Sequence, residues 1–451
     1  MKPLIRIASG QGFWGDLLRA PLDQVTGGPI DYLVMDYLAE VTMSIMQKQK
    51  RRDPSLGYAK DLIPLMGELL PVVAAKGIRV ITNGGGVNPE ACRDAIFSVA
   101  RKLGIRSLRI GVVTGDDILG RIEALRLTGE GLTNMETGDS LDAVRDRLVS
   151  ANVYFGARPI AEALDQGAQI VVTGRTTDTG LTLAPMIHEF RWGDWDRLAA
   201  GTVAGHILEC GGQATGGNFS ADWRSVPDLD RIGFPIAEAE PGGGIVITKH
   251  QGTGGLVSVQ TVTEQLLYEI GDPRSYITPD CVADFTTIML ESAGADRVKL
   301  SGIKGKPATD SYKVSMSYLD GYTAVGTLTY AWPEAMEKAR AADGILRKRL
   351  DALGLKYDEI RTEYVGVNAC HGPIAQPGGD PNEVMLRVGV RGRDREAVER
   401  FGQEIAPLIL TGPPAVTGFA GGRPKPGEVI SYWPALVRKT AVTPSVAVTD
   451  L

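Results

Sequence analysis

The N-terminal part of the chain repeats one pattern five times: a short apolar, β-branched run ends in Gly, Asn or Asp, and a helix-patterned segment follows. The apolar runs are Leu4–Ala8, Asp31–Asp36, Arg79–Thr82, Leu108–Val113 and Gln169–Val172. Short strands that alternate with longer helices predict βαβ units and a parallel sheet. Ligands bind at the carboxyl ends of such strands. We therefore expect an α/β, Rossmann-like sheet with a site at this edge. A closed (β/α) barrel is the alternative, with the same loops on its active face.

The pattern changes near Trp192, where strands begin to follow one another directly. Two amphipathic segments, Glu334–Leu353 and Arg395–Ile409, interrupt these later strands. Such an order favours an α+β domain with a largely antiparallel sheet. The 451 residues exceed what one core usually spans. We predict a parallel βα domain at 1–195 and a second domain at 196–451, which contributes the sequence GTGG and closes the site.

Composition excludes several classes of protein. The formal net charge is −6, and no basic stripe of the kind that binds nucleic acid is present. No apolar run is long enough to span a membrane, and the first residues enter a strand without a signal sequence. Four widely spaced cysteines predict neither a zinc site nor a disulfide framework. We expect a cytoplasmic homo-oligomer that acts on a small molecule, with neither nucleic acid nor membrane as a partner.

Glycine is in excess, with 56 residues, and the first cluster is Gly10-x-Gly12-x-x-Gly15 directly after a strand. With Asp36 at the end of the next strand, this spacing matches the dinucleotide fingerprint. Two aromatic residues inside the loop and the carboxylate of Asp16 oppose the approach of a pyrophosphate. The loop therefore predicts either an NAD site or a glycine-rich turn for another ligand.

A second cluster, Asn83–Gly86, precedes a helix that begins with Asn88 as N-cap and Pro89 at its first position. Backbone amides and the helix N-terminus can hold a phosphate or carboxylate there. A third candidate cradle is Lys249–Gly255. The predicted substrate-binding residues are Gly12, Gly15, Asp16, Asn83, Gly84, Gly85, Gly86, Asn88, Lys249, His250, Gly254 and Gly255.

Acidic residues also gather at or just after the predicted strand ends. Neighbouring carboxylates raise one another's pKa and serve as acid/base groups or as a hard-metal site, although helix capping explains some of them. Arg175 is the natural counter-charge for the acids or for a substrate carboxylate. His206 and Glu209 share one helix face, as metal ligands or as a hydrogen-bonded pair. The predicted catalytic residues are Asp36, Glu40, Asp116, Arg175, Asp178, His206 and Glu209. No metal ligand is assigned, and the cofactor is unknown.

The chain resembles the acyclic terpene utilisation family, the first protein of bacterial citronellol and geraniol breakdown clusters. The segments that carry the resemblance include GFWGD, DYLAEVTM, RRDPSLGYAKD, NGGGVNP, VVTGRTTDTGL, GHILECGGQATGGNF and TGFAGGRPKP. It covers nearly the whole chain. It implies an enzyme of branched acyl-CoA or hydroxy-acid catabolism, a lyase or hydratase on a carboxylated or thioester substrate. The alternatives are an NAD-dependent oxidoreductase and a non-catalytic subunit that binds a metabolite or a carboxylase.

The resemblance assigns no role to individual residues. Some relatives carry an additional small C-terminal ferredoxin-like domain, which we do not expect after the last segment, YWPALVRKTAVTPSVAVTD. The resemblance therefore implies a separate small ferredoxin-like protein as a partner.

Overall fold

The computed structural model describes residues 2–376, 378–418 and 421–451. It divides into a first unit, which extends to Ser317 and includes Tyr432–Leu451, and a second unit, Tyr318–Ser431. The helices are α1 Ala20–Gly27, α2 Thr42–Arg52, α3 Leu62–Lys76, α4 Pro89–Lys102, α5 Ile122–Leu127, α6 Arg158–Asp165, α7 Asp178–Phe190, α8 Trp195–Leu208, α9 Val259–Leu267, α10 Ala335–Ala352, α11 Arg395–Ile405 and α12 Leu408–Thr411.

The strands are β1 Ile5–Gln11, β2 Tyr32–Met35, β3 Arg79–Thr82, β4 Arg109–Thr114, β5 Leu148–Val153, β6 Ile170–Thr173, β7 Ile236–Ala239, β8 Ile245–Thr248, β9 Tyr276–Ile277, β10 Val282–Asp284, β11 Met289–Ser292, β12 Val298–Ser301, β13 Lys304–Lys306, β14 Ser311–Ala331, β15 Glu359–Val365, β16 Glu383–Gly392, β17 Val416–Thr417, β18 Gly427–Arg438 and β19 Ser445–Asp450. In the described ranges, no helix has the length and apolar character that crossing a membrane requires.

The first unit is built on a ten-stranded mixed sheet in the order β11-β12-β8-β7-β1-β2-β3-β6-β4-β19. The five central strands, from β1 to β4 in this order, are parallel, which confirms the α/β prediction. The strands on either side of them are antiparallel. Because β11 and β19 form two edges, the sheet is open and the barrel alternative is wrong.

Helices cover both faces of the parallel strands, so even successive strand residues are buried. On β2, Tyr32 and Val34 pack in the core with α7 and α8, whereas Leu33 and Met35 pack in the core with α3 and α4. Such two-sided burial produces the continuous apolar runs from which the strands were predicted.

A crevice forms where the chain leaves two neighbouring strands in opposite directions. β3 and β6 are parallel neighbours. The helix after β3, α4, packs on one face of the sheet, and the helix after β6, α7, packs on the other. Ligands of open α/β sheets bind at such a switch point, outside the carboxyl ends of the strands.

The boundary between the units differs from the sequence prediction of 1–195 and 196–451. Segments beyond residue 195 extend the first sheet, because β7 pairs with β1 and β8 pairs with β7. The last strand, β19, returns to pair with β4. Hydrogen bonding across the sheet therefore keeps these later segments in the first unit.

The second unit is the antiparallel α+β element, but it is smaller than predicted. Its strand order is β15-β16-β14-β17, and every neighbouring pair is antiparallel. The helices α10 and α11 cover one face, with Leu346, Leu386 and Phe401 in the core. This β-α-β-β-α-β succession is the ferredoxin-like arrangement, and it lies inside this chain.

Candidate functional site

The ends of β2 and β3 are joined by a buried hydrogen-bond network. Asn83 is fully buried, and its Nδ2 donates to Asp36 Oδ1 at 2.6 Å. Its Oδ1 accepts from the Tyr37 amide at 2.7 Å. Asp36 Oδ1 also accepts from the Leu38 amide at 3.0 Å. The side chain of Asn83 therefore holds the Asp36 carboxyl in one orientation in the crevice.

Arg175, in the loop after β6, is buried with 1% of its surface exposed. Its Nε and Nη2 donate to Thr176 O, at 3.0 and 2.8 Å, and its Nη1 donates to Leu38 O at 2.8 Å. Nη2 also donates to Asp178 Oδ1. Four hydrogen bonds within the protein fix the guanidinium. Of its two predicted roles, counter-charge of the acids and binding of a substrate carboxylate, these contacts support the first.

Asp36 and Asp178 form a pair of acids with a raised pKa beside this cation. Loss of water raises the pKa of Asp178, and the charge of Asp36 and a hydrogen bond with it raise that pKa further, against the effect of Arg175. Burial likewise raises the pKa of Asp36, with Arg175 and Asn83 opposing. A hydrogen bond between two carboxyl groups requires one of them to be protonated. The raised pKa values favour the binding of a proton by this pair, and Asp178, with 38% of its side chain exposed, is the member that solvent reaches.

His206 and Glu209 meet at the end of α8, with His206 Nδ1 2.9 Å from Glu209 Oε1. The imidazole is buried against the rings of Tyr276 and Phe285. Burial works to lower the pKa of His206, but the charge of Glu209 raises it overall. Burial raises the pKa of Glu209, which the negative charge of Asp178 raises further. The predicted hydrogen-bonded pair is present beside the crevice.

In the part of the chain that the structure describes, no group of three or more His, Cys, Asp or Glu side chains is arranged to hold a metal ion. The Nε2 of His206 is buried and has no hydrogen-bond partner there.

Tyr154 links the buried cation to the protein surface. Arg175 Cζ lies 4.6 Å from the centroid of its ring, and its hydroxyl donates to Glu40 Oε1 at 3.4 Å. Lys313 Nζ lies 5.3 Å from the same centroid and 5.6 Å from that of Tyr432. Glu40 and Lys313 are exposed. Sequence reasoning missed Tyr154 and Lys313, since only strand pairing between β5 and β14 brings them to the crevice.

Asp116 is buried behind the loop that carries Arg175. Its Oδ2 accepts from the Arg175 amide at 2.8 Å and from Asn152 Nδ2 at 2.9 Å. Burial raises the pKa of Asp116 to about 6, although both hydrogen bonds oppose the shift. A Cβ at Gly174 would lie 2.2 Å from Asp116 Oδ1, so only glycine fits there. Asp116 therefore positions Arg175.

The Asn83–Gly86 loop is packed inside the protein. The Gly84 amide donates to Thr82 Oγ1 at 3.0 Å, and the Gly86 amide donates to Asn83 O at 3.1 Å. A Cβ at Gly85 would lie 2.6 Å from Thr173 O, which explains the need for glycine. The anion-cradle interpretation is therefore corrected: the glycines let the loops after β3 and β6 approach one another.

The helix after that loop begins as predicted, with Asn88 as N-cap and Pro89 as its first residue. The side chain of Asn88 does not cap the helix. Its Nδ2 donates to Pro54 O at 2.9 Å and to Leu56 O at 2.7 Å, which ties the helix start to the preceding loop.

The first glycine loop lacks the arrangement of a dinucleotide site. Asp16 Oδ2 accepts from the Gly12 amide at 2.9 Å, where a pyrophosphate would need a free donor. A Cβ at Gly12 would lie 2.8 Å from the backbone of Cys210. Gly15 adopts φ +107°, and α1 begins only at Ala20. These contacts of Gly12 with Asp16 and Cys210 favour the alternative prediction of a glycine-rich turn over the NAD site.

The Lys249–Gly255 loop is likewise engaged elsewhere. Lys249 Nζ lies 3.1 Å from Asp296 Oδ2, and His250 Nε2 is 2.9 Å from Gln24 O on α1. The amide of Gly254 donates to Arg231 O and that of Gly255 donates to Pro227 O. The contacts of this loop are with these segments, so its predicted part in the crevice is not supported.

Comparison with known families gives one match: the model described as "Acyclic terpene utilisation family protein AtuA" matches residues 5–448. The match contains every crevice residue described above. Searches of curated proteins and of solved structures found no significant match.

Proposed function

The chain belongs to the acyclic terpene utilisation family, and from that premise we propose that it is a lyase or hydratase of branched acyl-CoA or hydroxy-acid breakdown. The observation that carries the proposal is the placement of two acids with a raised pKa, Asp36 and Asp178, beside the buried charge of Arg175. Lyases and hydratases of this kind need one base and one acid close together. Two carboxyl groups that hold a single proton supply both.

Both reactions use the pair in the same manner. In the lyase reaction, the carboxylate takes the proton of a 3-hydroxyl group while the Cα–Cβ bond breaks. The electron pair passes to Cα as an enolate of the adjacent carbonyl, and the carboxylic acid returns a proton to Cα. In the hydratase reaction, the carboxylate takes a proton from water as its oxygen adds to Cβ, and the acid protonates Cα. The proton count of the pair is restored in both cases.

Arg175 maintains this state of the pair. Its charge stabilises one ionised carboxyl, and the second charge is disfavoured by burial and by like-charge repulsion. Asn83 orients Asp36, and Asp116 holds the backbone of Arg175. The more exposed Asp178 is assigned to contact substrate, while Asp36 tunes its proton.

The test is turnover of branched 3-hydroxyacyl-CoA and 2-enoyl-CoA thioesters in D₂O, followed by mass spectrometry. We expect cleavage or hydration with one solvent deuterium at Cα. The Asp178→Asn variant should lose activity by about a hundredfold or more, because an amide neither accepts nor delivers this proton. Asp450→Asn, which alters only an exposed ion pair with Arg109, should retain full activity.

Absence of turnover on both thioester classes, or an Asp178→Asn variant with full activity, contradicts the proposal. Tight binding of a thioester with neither turnover nor exchange at Cα would instead favour the non-catalytic, metabolite-binding subunit.

A further inference from the structure

Among the described residues, one exposed cation at the mouth of the crevice has no acidic partner. Arg175 and Lys249, the cations that the sequence nominates for an anionic substrate, form ion pairs with Asp178 and Asp296. The Lys313 ammonium has no carboxylate partner among the residues that the structure describes, and its side chain is exposed.

Two tyrosine rings hold this ammonium in place. Its Nζ lies 5.3 Å from the centroid of Tyr154 and 5.6 Å from that of Tyr432. Cation–π contacts at such distances restrict the position of an ammonium without neutralising its charge. Lys313 therefore presents a positioned charge that is open to an anion.

This charge shares the Tyr154 ring with Arg175, the cation beside Asp36 and Asp178. Arg175, which contacts Asp178, lies 4.6 Å from the same Tyr154 centroid. Lys313 Nζ and Arg175 Cζ are thus separated by no more than the sum of their two distances from one ring. A separation of this size is one that a short acyl chain spans between its anionic group and its reacting carbons.

We propose that Lys313 is a specificity-determining residue that binds an oxyanion of the substrate. The proposal rests on the proposed function and adds the class of substrate: one with a negatively charged oxygen group several atoms from the reacting carbons. Two sources share this chemistry, a free carboxylate on the acyl group and a phosphate of the coenzyme A carrier. Lysine offers a compact charge that suits either.

The test is isothermal titration of the intact protein with glutarate and, separately, with coenzyme A. We expect one of the two to bind, and Lys313→Met to weaken that binding about tenfold or more through loss of a charged hydrogen bond. Lys313→Arg should retain most of the affinity. If Lys313→Met loses affinity for glutarate, the bound group is a carboxylate. If it loses affinity for coenzyme A, the bound group is a phosphate.

Lys439 provides a matched control. Its Nζ also lies 5.3 Å from a tyrosine centroid, that of Tyr312, but it donates to Pro279 O at 2.7 Å. Lys439→Met should bind the same probe as tightly as the unmodified protein. Thermal melting of each variant shows whether it is folded before titration.

The proposal is overturned when Lys313→Met binds the probe as tightly as the unmodified protein, or when the unmodified protein binds neither probe at about millimolar concentration. Titration of Asp178→Asn with the same probe tests the anion site in a protein without the proposed catalytic acid, so the failure of one proposal can be distinguished from the failure of the other. Binding that depends on Lys313 in a protein without turnover contradicts the proposed function alone. Turnover that does not depend on Lys313 contradicts this inference alone.

Discussion

Two polar clusters lie at opposite ends of the parallel strands and differ in how their charges are matched. The amino-end cluster consists of Arg79 at the start of β3, His188 on α7, and Asp165 with Arg191. Arg79 Nη1 donates to His188 Nε2 at 2.6 Å, and Asp165 accepts from His188 Nδ1 and Arg191 Nη1 at 2.5 and 2.6 Å. Burial works to raise the pKa of Asp165, but Arg191 and His188 lower it overall.

The carboxyl-end cluster has the opposite balance. There Asp36 and Asp178 share the single buried cation Arg175, and the pKa of each acid is raised. The amino-end cluster has two arginines for one carboxylate, which lowers the pKa of Asp165, whereas the carboxyl-end cluster has one arginine for two carboxyl groups, whose pKa values are raised. The comparison indicates that charge balance, more than the number of acids, separates a structural cluster from a candidate acid/base site.

The largest expected difference is between the arginines of the two clusters, Arg175 at the carboxyl end and Arg191 at the amino end. Arg175→Met should lower the free energy of unfolding by about 3–5 kcal/mol, because it removes four hydrogen bonds and leaves buried carboxyl groups without a counter-charge. Arg191→Met, at an exposed pair, should cost less than about 1 kcal/mol. Urea denaturation at pH 7 measures both, and equal losses would remove the distinction between the clusters.

A smaller effect is expected for Asp116, because burial raises its folded pKa to about 6, above the ordinary range of an aspartate. The folded state holds this proton more tightly, so the stability of the unmodified protein falls as pH rises from about 4 to 6. Asp116→Asn removes that dependence. As pH rises from about 4 to 6, the free energy of unfolding of the variant should therefore increase by about 3 kcal/mol relative to that of the unmodified protein.

Urea titrations at several pH values between 4 and 7 provide the measurement for Asp116. Parallel stability curves for the two proteins would show that Asp116 does not change its proton affinity on folding.

The smallest effect is expected at the amino end and has the opposite sign. Because the folded pKa of Asp165 is lowered, its ion pair with Arg191 and its hydrogen bond from His188 add stability above the unfolded pKa, and that stability is lost as pH falls below about 4. Asp165→Asn should cost less than about 1 kcal/mol at pH 7, since water screens this half-exposed group. The cost should vanish in acid. A cost that grows in acid would contradict the assignment.

The sequence by itself determined the local elements. Alternation of apolar runs with helical periodicity predicted the parallel strands, and Asn88-Pro89 predicted the start of α4. These features depend on neighbouring residues, which is why pattern alone carries them. Because parallel strands end at one edge, the sequence also indicated that Asp36, Arg175 and Asp178 would meet, and long motifs indicated the family.

Only the tertiary structure decided which partner each of these groups takes. Insertion of β6 between β3 and β4 placed Asn83 and Arg175 at one crevice, and no local pattern specifies strand order. The sequence predicted anion cradles at the glycine loops, because close packing and ligand binding both require glycine. In the structure, amides of these loops instead bond within the protein. The sequence gives no signal for Lys313, because only the pairing of β14 with β5 places it next to Tyr154. Charge compensation is a long-range property, so the sequence placed the acids and the fold determined which of them have a raised pKa.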